Sequence, residues 1–374
     1  MILKTKEFKE VCSSILSAID SDGISKLTET LELVTIGKVL YLNVTNMEYY
    51  VSRKFELSEE EELHATVKGD VFLKLIDKIT TEDIELTVGE NYLLVKGNGV
   101  YKLPFIDEDG KLMELPKIVI ENKTLEMDIP YDTLESILVY NTKQIAESSL
   151  AQAVNKLFYV DQEGCVTFVK GACVNSFTLA KPVRILLGAR IVKLFKLFKN
   201  TPMVHFELGY DPISETIIQT KVTFSNEDIT LTAILNADNS MWATIDKAIP
   251  TLRERAVKAY PNKIVLNKDA LLEAVHRLLL FADAKDAKPY STFNFDITGN
   301  LTIFDTKGEN SEALRYQPGS ELEGAYTMRL DLVNFAKIIE TCPEQFLTLH
   351  FGDNKACVVV RNNIKNVIPE VKGK

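Results

Sequence analysis

No run of apolar residues in this 374-residue sequence approaches the length of a membrane span. The first ten residues, MILKTKEFKE, are charged from Lys4 onward and lack the apolar stretch of a secretory signal. Neither a membrane protein nor an exported one is expected, and the cytoplasm is the expected location. The five cysteines, Cys12, Cys165, Cys173, Cys342 and Cys357, are odd in number and form no CxxC pair. That excludes a disulfide framework and a thiolate metal knuckle; each is expected to pack as a small apolar residue in a reducing compartment. The four histidines, His64, His205, His276 and His350, make no HxH or HExxH and have no cysteine at metal-site spacing. His205 and His350 sit in similar strand contexts, MVHFEL and TLHF, which strand alternation explains better than catalysis. GxGxxG, GxxxxGK[ST] and GxSxG are all missing, so the dinucleotide, P-loop and hydrolase readings fall away. The expectation is a protein that is not an enzyme and needs no cofactor. Positive charge is also in short supply. Lys and Arg number 43 against 53 Asp and Glu, the formal net charge is −10, and the pI is near 5.2. This argues against general coating of nucleic acid, but not against one locally basic surface.

What the sequence has is repetition. The length exceeds one ordinary core, and a composition of 46% hydrophobic and 26% charged residues is that of a soluble globular chain. ILKTKEFKEVCSSIL from Ile2, LEMDIPYDTLESIL from Leu125 and IVLNKDALLEAVHRLL from Ile264 each read as a short strand followed by an amphipathic helix. Each is followed by alternating, β-rich sequence with turn residues, then by a second helix: KGDVFLKLIDKI, GARIVKLFKLFK and RLDLVNFAKIIE. More strands close each copy. DIELTVGENYLLVKG and FLTLHFGDNKACVVVRN share a strand, a Gly-acid-Asn turn and a second strand, whereas copy two has the longer turn GYDPISE. The pattern predicts an α+β chain of three similar domains, each with two helices on antiparallel sheets. The boundaries are placed at 1–121, 122–250 and 251–374, and TLRERAVKAY after Pro250 could itself form a short helix. Free sheet edges at the two ends of such an array would be capped, or paired between identical chains. The acidic run Glu59 to Glu62 reads as a solvated loop between strands.

One short stretch runs against the acidic composition. GARIVKLFKLFKN, residues 188 to 200, carries Arg190, Lys193, Lys196 and Lys199 with no acid. At 100° per residue its apolar members Ile191, Leu194, Phe195 and Phe198 form one stripe, with the basic residues on the opposite half. Over the six predicted helical stretches the net charge is +4, leaving −14 on the rest of the chain. Positive charge is segregated onto the helices, and mostly onto this one. A solvated lysine face is the plain reading; a surface aimed at phosphates is the sharper one.

The length, the three-fold repetition and the order of elements resemble the bacterial sliding clamp, the β subunit of DNA polymerase III. Local echoes are LYLNVTNMEYYV, VKGDVFLKLIDKI and the closing NVIPEV. There are departures. The family's Thr-Asp-Gly-His-Arg-Leu-like turn is VKGACV here, Val169 to Val174, and its Phe-Pro-x-Tyr is replaced by WATI from Trp242. A divergent member fits these losses. The resemblance implies the DNA-clamp fold, closing into a ring as a head-to-tail homodimer. It implies a processivity factor that encircles double-stranded DNA without sequence preference and tethers the DNA polymerase catalytic subunit, with a clamp-loader complex as a further partner. DNA contacts would be Arg190, Lys193, Lys196 and Lys199, with Lys26, Lys74, Lys78 and Arg277 as further candidates. Partner peptides would enter a cleft walled by Val154, Val169, Gly171, Val174, Ala248, Val367 and Ile368. The family's charged and aromatic rim residues are missing there, so binding would rest on apolar burial. The alternative function is a clamp-fold scaffold or regulator that binds replication partners without being loaded on DNA.

Overall fold

The computed structural model describes residues 1–19, 25–145, 153–168, 171–213, 218–235, 239–282, 290–352, 355–361 and 363–370. Eight α-helices lie among them: α1 (Thr5–Ile15), α2 (Lys26–Glu29), α3 (Gly69–Lys78), α4 (Tyr131–Tyr140), α5 (Ala189–Lys193), α6 (Asn239–Val257), α7 (Lys268–Leu279) and α8 (Leu332–Glu340). Six of them fall where the repeat predicts a helix. The short α2 and the 19-residue α6 are additional. The chain divides into two compact units, Met1–Leu134 with Lys193–Asn236, and Glu135–Val192 with Ala237–Lys374.

The first unit holds two main sheets and a two-stranded hairpin, Asp107–Glu108 with Lys111–Leu112. One has four strands in the order Ile2–Lys4, Asp83–Val88, Tyr92–Lys96, Val100–Pro104. The other has eight, running Asn122–Pro130, Met203–Pro212, Ile218–Ser225, Ile229–Leu235, Tyr49–Glu56, Val39–Thr45, Thr30–Ile36, His64–Lys68. In the second unit an eight-stranded sheet runs Arg184–Gly188, Leu157–Asp161, Gly164–Phe168, Ala172–Ser176, Ile364–Pro369, Lys355–Arg361, Phe346–Phe351, Asn262–Asn267. Its four-stranded partner runs Ser311–Arg315, Asn300–Phe304, Tyr290–Phe295, Tyr326–Asp331. All these pairings are antiparallel.

With that hairpin set aside, each copy has eight strands, and numbered in chain order they repeat one topology three times. The first strand pairs with the sixth, which leads on to the seventh and eighth; the fifth pairs with the second, which leads on to the third and fourth. Each eight-stranded sheet is a fusion of two such halves from successive copies. The eighth strand of copy two pairs with the fourth of copy one, with Leu231 opposite Val51, both fully buried. In the same way the eighth strand of copy three pairs with the fourth of copy two, with Ala172 opposite Val367. This fusion is why the compact units cut across copy two.

The helices sit on these sheets through aromatic contacts. In the first unit Phe8 of α1 meets Phe55 of the strand Tyr49–Glu56 edge-on, with ring centroids 5.4 Å apart. In the second, Phe335 of α8 meets Phe293 at 5.2 Å. Asn267 caps α7 by accepting from the Ala270 amide, and Asp331 caps α8 by accepting from the Asn334 amide, both at 2.9 Å.

Helix α6 is where structure and sequence expectation part. The sequence allows a short helix after Pro250, as part of a linker; in the structure one helix runs from Asn239 to Val257 straight through that residue. A proline inside a helix removes one backbone bond and crowds the preceding turn. Ile245, Ile249 and Ala256, on one face of α6, are all buried against Val174, Leu186 and Val367, and that packing holds the helix through the defect. The boundary expected between residues 250 and 251 therefore falls within a continuous helix.

Candidate functional site

The basic stretch begins as one turn of α5 and then tightens into a 3-10 helix, Leu194–Phe198. The sequence KLFKLFK is a three-residue repeat, and three residues make one 3-10 turn with i and i+3 eclipsed. Each residue type therefore runs along its own edge. Leu194 and Leu197 form one buried edge, Phe195 and Phe198 a second, and Lys193, Lys196 and Lys199 a third that is exposed. At 100° per residue the lysines would drift by about 60° per step around the axis. In the 3-10 turn they form a single row with about 6 Å between successive positions. This also explains why Leu197 is buried beyond the expected stripe. Phe195 anchors the segment on the sheet, 4.9 Å from Phe224 in an edge-on contact. No ion pair engages the three lysines among the described residues. Arg190, one turn earlier, is exposed as well.

The other four predicted DNA contacts stand differently. Lys26 is exposed in α2. Lys74 lies 3.2 Å from Asp70 and Lys78 lies 2.9 Å from Asp77, both exposed pairs that phosphate could displace at little cost. Arg277 is committed further: its Nε and Nη2 donate to the two carboxylate oxygens of Glu312 at 2.7 and 3.0 Å, and Glu273 lies 3.8 Å away. A bidentate pair of this kind neutralises the guanidinium that a phosphate would need.

The second unit also carries a groove of about 380 Å³. Its walls are Phe168, Gly171, Val367 and Pro369 from the sheet, and Ala248, Thr251, Leu252 and Arg255 from α6. Ala248, Thr251, Leu252 and Arg255 are spaced i, i+3, i+4, i+7 and form one stripe of the helix. Val367 and Pro369 alternate to the same face of their strand, as the pleat requires. Gly171 is at φ +136°, and a Cβ there would meet the Val367 carbonyl oxygen at 2.3 Å. Only glycine lets the turn lie this close to the last strand.

Of the seven predicted cleft residues, Gly171, Ala248 and Val367 are brought together here. Val154 is half-buried and packs on the core beneath α6, Val174 is itself a member of that core, and neither lines the groove. Ile368 points to the opposite face of its strand, into the core under α7 and α8. Val169 lies outside the described residues. Phe168, Thr251, Leu252, Arg255 and Pro369 were not anticipated. The helical spacing from Ala248 to Arg255 is visible in the sequence once Pro250 is not read as a stop.

Helix α6 is fastened by its polar residues too. The Arg184 guanidinium stacks on the Trp242 ring at 4.3 Å and donates to both oxygens of Asp246 at 2.6 and 2.7 Å. Arg253 donates to Asp161 at 2.5 Å and to Glu163 at 2.7 Å.

The histidines have structural partners. His64 faces Glu32 at 3.3 Å, His276 faces Glu340 at 3.5 Å, and His350 packs beside the Tyr260 ring. His205 Nδ1 lies 2.9 Å from Asp128 and its Nε2 lies 3.4 Å from Glu207; the hydrogen bond to Asp128 holds its pKa above the ordinary value. Cys12, Cys165, Cys173 and Cys342 are buried and unpaired. Burial pushes the Cys173 thiol up to about 12, far from a thiolate nucleophile. Among the described residues no helix is long and apolar enough to cross a membrane.

Solved structures share this fold along the whole chain. The β subunit of DNA polymerase III from Thermotoga maritima matches with a TM-score of 0.80 at 14% identity, over 100% of this chain and 99% of that one. The β chain from Streptococcus pneumoniae matches at 0.79 and 12%, and the DNA polymerase sliding clamp from Bacillus subtilis at 0.76 and 13%, with the same coverage. No family model and no curated protein matches the sequence. The chain has the DNA-clamp fold, in a strongly diverged sequence.

Proposed function

We propose that the protein is a DNA sliding clamp, a non-catalytic processivity factor that encircles duplex DNA and tethers a DNA polymerase and other replication proteins to it. The observation that carries this reading is the match to polymerase β subunits over 100% of the chain. In a two-chain ring the helices would line the hole, and the row Lys193, Lys196 and Lys199 would meet the phosphates. Lysine–phosphate contacts do not read base edges, so binding is independent of sequence. They exchange readily, so the ring slides, and closure rather than affinity prevents dissociation. The groove beside α6 suits a short peptide with apolar anchors: its volume is in the range of ligand sites and its walls are mostly carbon.

The test is topological. Purified protein, a bacterial clamp-loader complex and ATP are incubated with nicked circular plasmid, and bound protein is followed by gel filtration. The protein should co-elute with the circle and be released when a single cut linearises it. Equal retention on circular and linear DNA would overturn encirclement. Absence from both, with a polymerase-derived peptide still bound in the groove, would favour the scaffold alternative.

A further inference from the structure

Three arginines stand in or beside the wall that α6 forms, and two of them have acids. Arg184 has Asp246, and Arg253, on α6 itself, has Asp161 and Glu163. Arg255, two residues further along, faces the groove instead of the hairpin that holds Arg253. Its neighbours there are Phe168, Gly171, Ala248, Thr251, Leu252, Val367 and Pro369, none of which is acidic. Among the described residues no carboxylate pairs with the Arg255 guanidinium, and its side chain is only half exposed. Lone half-buried guanidinium groups on an apolar wall are well suited to a carboxylate brought by a ligand, because the planar fork meets it in a fixed geometry and the partly dry setting strengthens the bond.

We infer that Arg255 is a specificity-determining residue of this groove, and that the peptides it takes carry an acidic side chain next to their apolar anchors. The inference rests on the reading of the groove as a peptide site. It replaces the expectation of binding by apolar burial alone with a defined polar contact. The order of parts follows from the fold. Leu252, one turn before Arg255, flanks the apolar floor made by Val367 and Pro369, so the anchors lie toward Ala248 and the acid toward the C-terminal end of α6. The competing role for Arg255 is confined to the helix, as a cation in the last turn that complements the macrodipole. That role would make no difference to which peptide is bound.

A random heptapeptide display library selected in parallel on wild-type protein and on Arg255→Gln separates the two. Both proteins should enrich the same large apolar residues, and only the wild type should enrich Asp or Glu at a fixed offset from them. The strongest wild-type peptide is then synthesised with its acid intact and with the corresponding amide. By fluorescence anisotropy the acidic form should bind wild type about three- to tenfold more tightly than the amide, with the difference reduced at high salt. In Arg255→Gln the two forms should bind alike, at the affinity wild type shows for the amide, and Arg255→Lys should restore part of the difference. Selected peptides without an acid, or equal binding of both forms by wild type, would overturn the inference and leave the groove intact. If Ala248→Arg, which fills the groove, selects the same peptides, or if wild type enriches none, the groove reading itself falls and the inference with it.

Discussion

Gly171 and His205 show how much a single residue settles. At Gly171 both the backbone angle of +136° and the 2.3 Å approach of the Val367 oxygen exclude a side chain. Gly171→Ala must move either the turn or the last strand, at a strain cost of about 1–3 kcal/mol. The expected result is a lower unfolding temperature together with loss of peptide binding, since the displaced strand is a wall of the groove. Normal binding in a normally stable variant would show that the turn does not set the groove's shape. His205 lies opposite Asp128 across two adjacent strands, and its folded pKa is raised above 6.5, chiefly by the hydrogen bond to that carboxylate. A base with a raised folded pKa stabilises the native state when protonated. The contribution is complete below the unfolded value and is lost as pH rises through the folded one. Wild type should therefore exceed His205→Gln in unfolding temperature at pH of about 5.5 and lose that advantage by about pH 9. An advantage that grows with pH would mean the pairing is not what holds the ring. Because the side chain is 42% exposed, solvent screening keeps the effect small.

At the scale of elements, the basic 3-10 turn assigns different tasks to its three edges. Changing Lys193, Lys196 and Lys199 together to glutamine should leave folding unaltered, since all three are exposed. It should lower DNA affinity equally for every sequence and flatten the salt dependence by about 0.9 per lost phosphate contact. Phe195→Ala should do the reverse first, costing about 3–5 kcal/mol of stability, because Phe195 is fully buried against Phe224. An unchanged salt slope in the lysine variant would mean the row does not face DNA. The lysine cluster was legible in the sequence, since an acid-free stretch in an acidic chain stands out. The 3-10 geometry was legible in principle from the KLF triplet, but a 3.6-residue period blurs it. The strands and the three-fold order were legible because alternation and turn residues act locally. Helix α6 was not: the local cost of Pro250 argued for a break, and the burial of Ile245, Ile249 and Ala256 that outweighs it is tertiary. The same break concealed three of the groove's eight lining residues, because Thr251, Leu252 and Arg255 share a face with Ala248 only if the helix runs through Pro250.

For the whole molecule, the sheet edges decide assembly. Every junction between successive copies is made by an eighth strand against a fourth strand. That rule leaves two strands over, the eighth of copy one, Val100–Pro104, and the fourth of copy three, Ser311–Arg315, each at the end of its four-stranded sheet. Unpaired edges of this kind are a hazard unless something covers them. Their exposed residues include Val100 at 65% and Tyr101 at 37%, where the seam inside the first unit buries Val51 and Leu231 completely. A second copy of the chain would supply the missing partner twice over, eighth strand to fourth strand at each end, and a head-to-tail pair would close with no eighth or fourth strand left unpaired. The protein should sediment as a dimer at concentrations of about 1–10 μM, with dissociation on dilution following the usual mass-action dependence. Val100→Asp with Tyr101→Asp places charge at the proposed junction without touching a core. It should yield a folded monomer that is no longer retained on circular DNA. A wild-type protein that remains monomeric as its concentration is raised, or a double variant that dimerises as the wild type does, would move the closure elsewhere and leave these two edges unexplained.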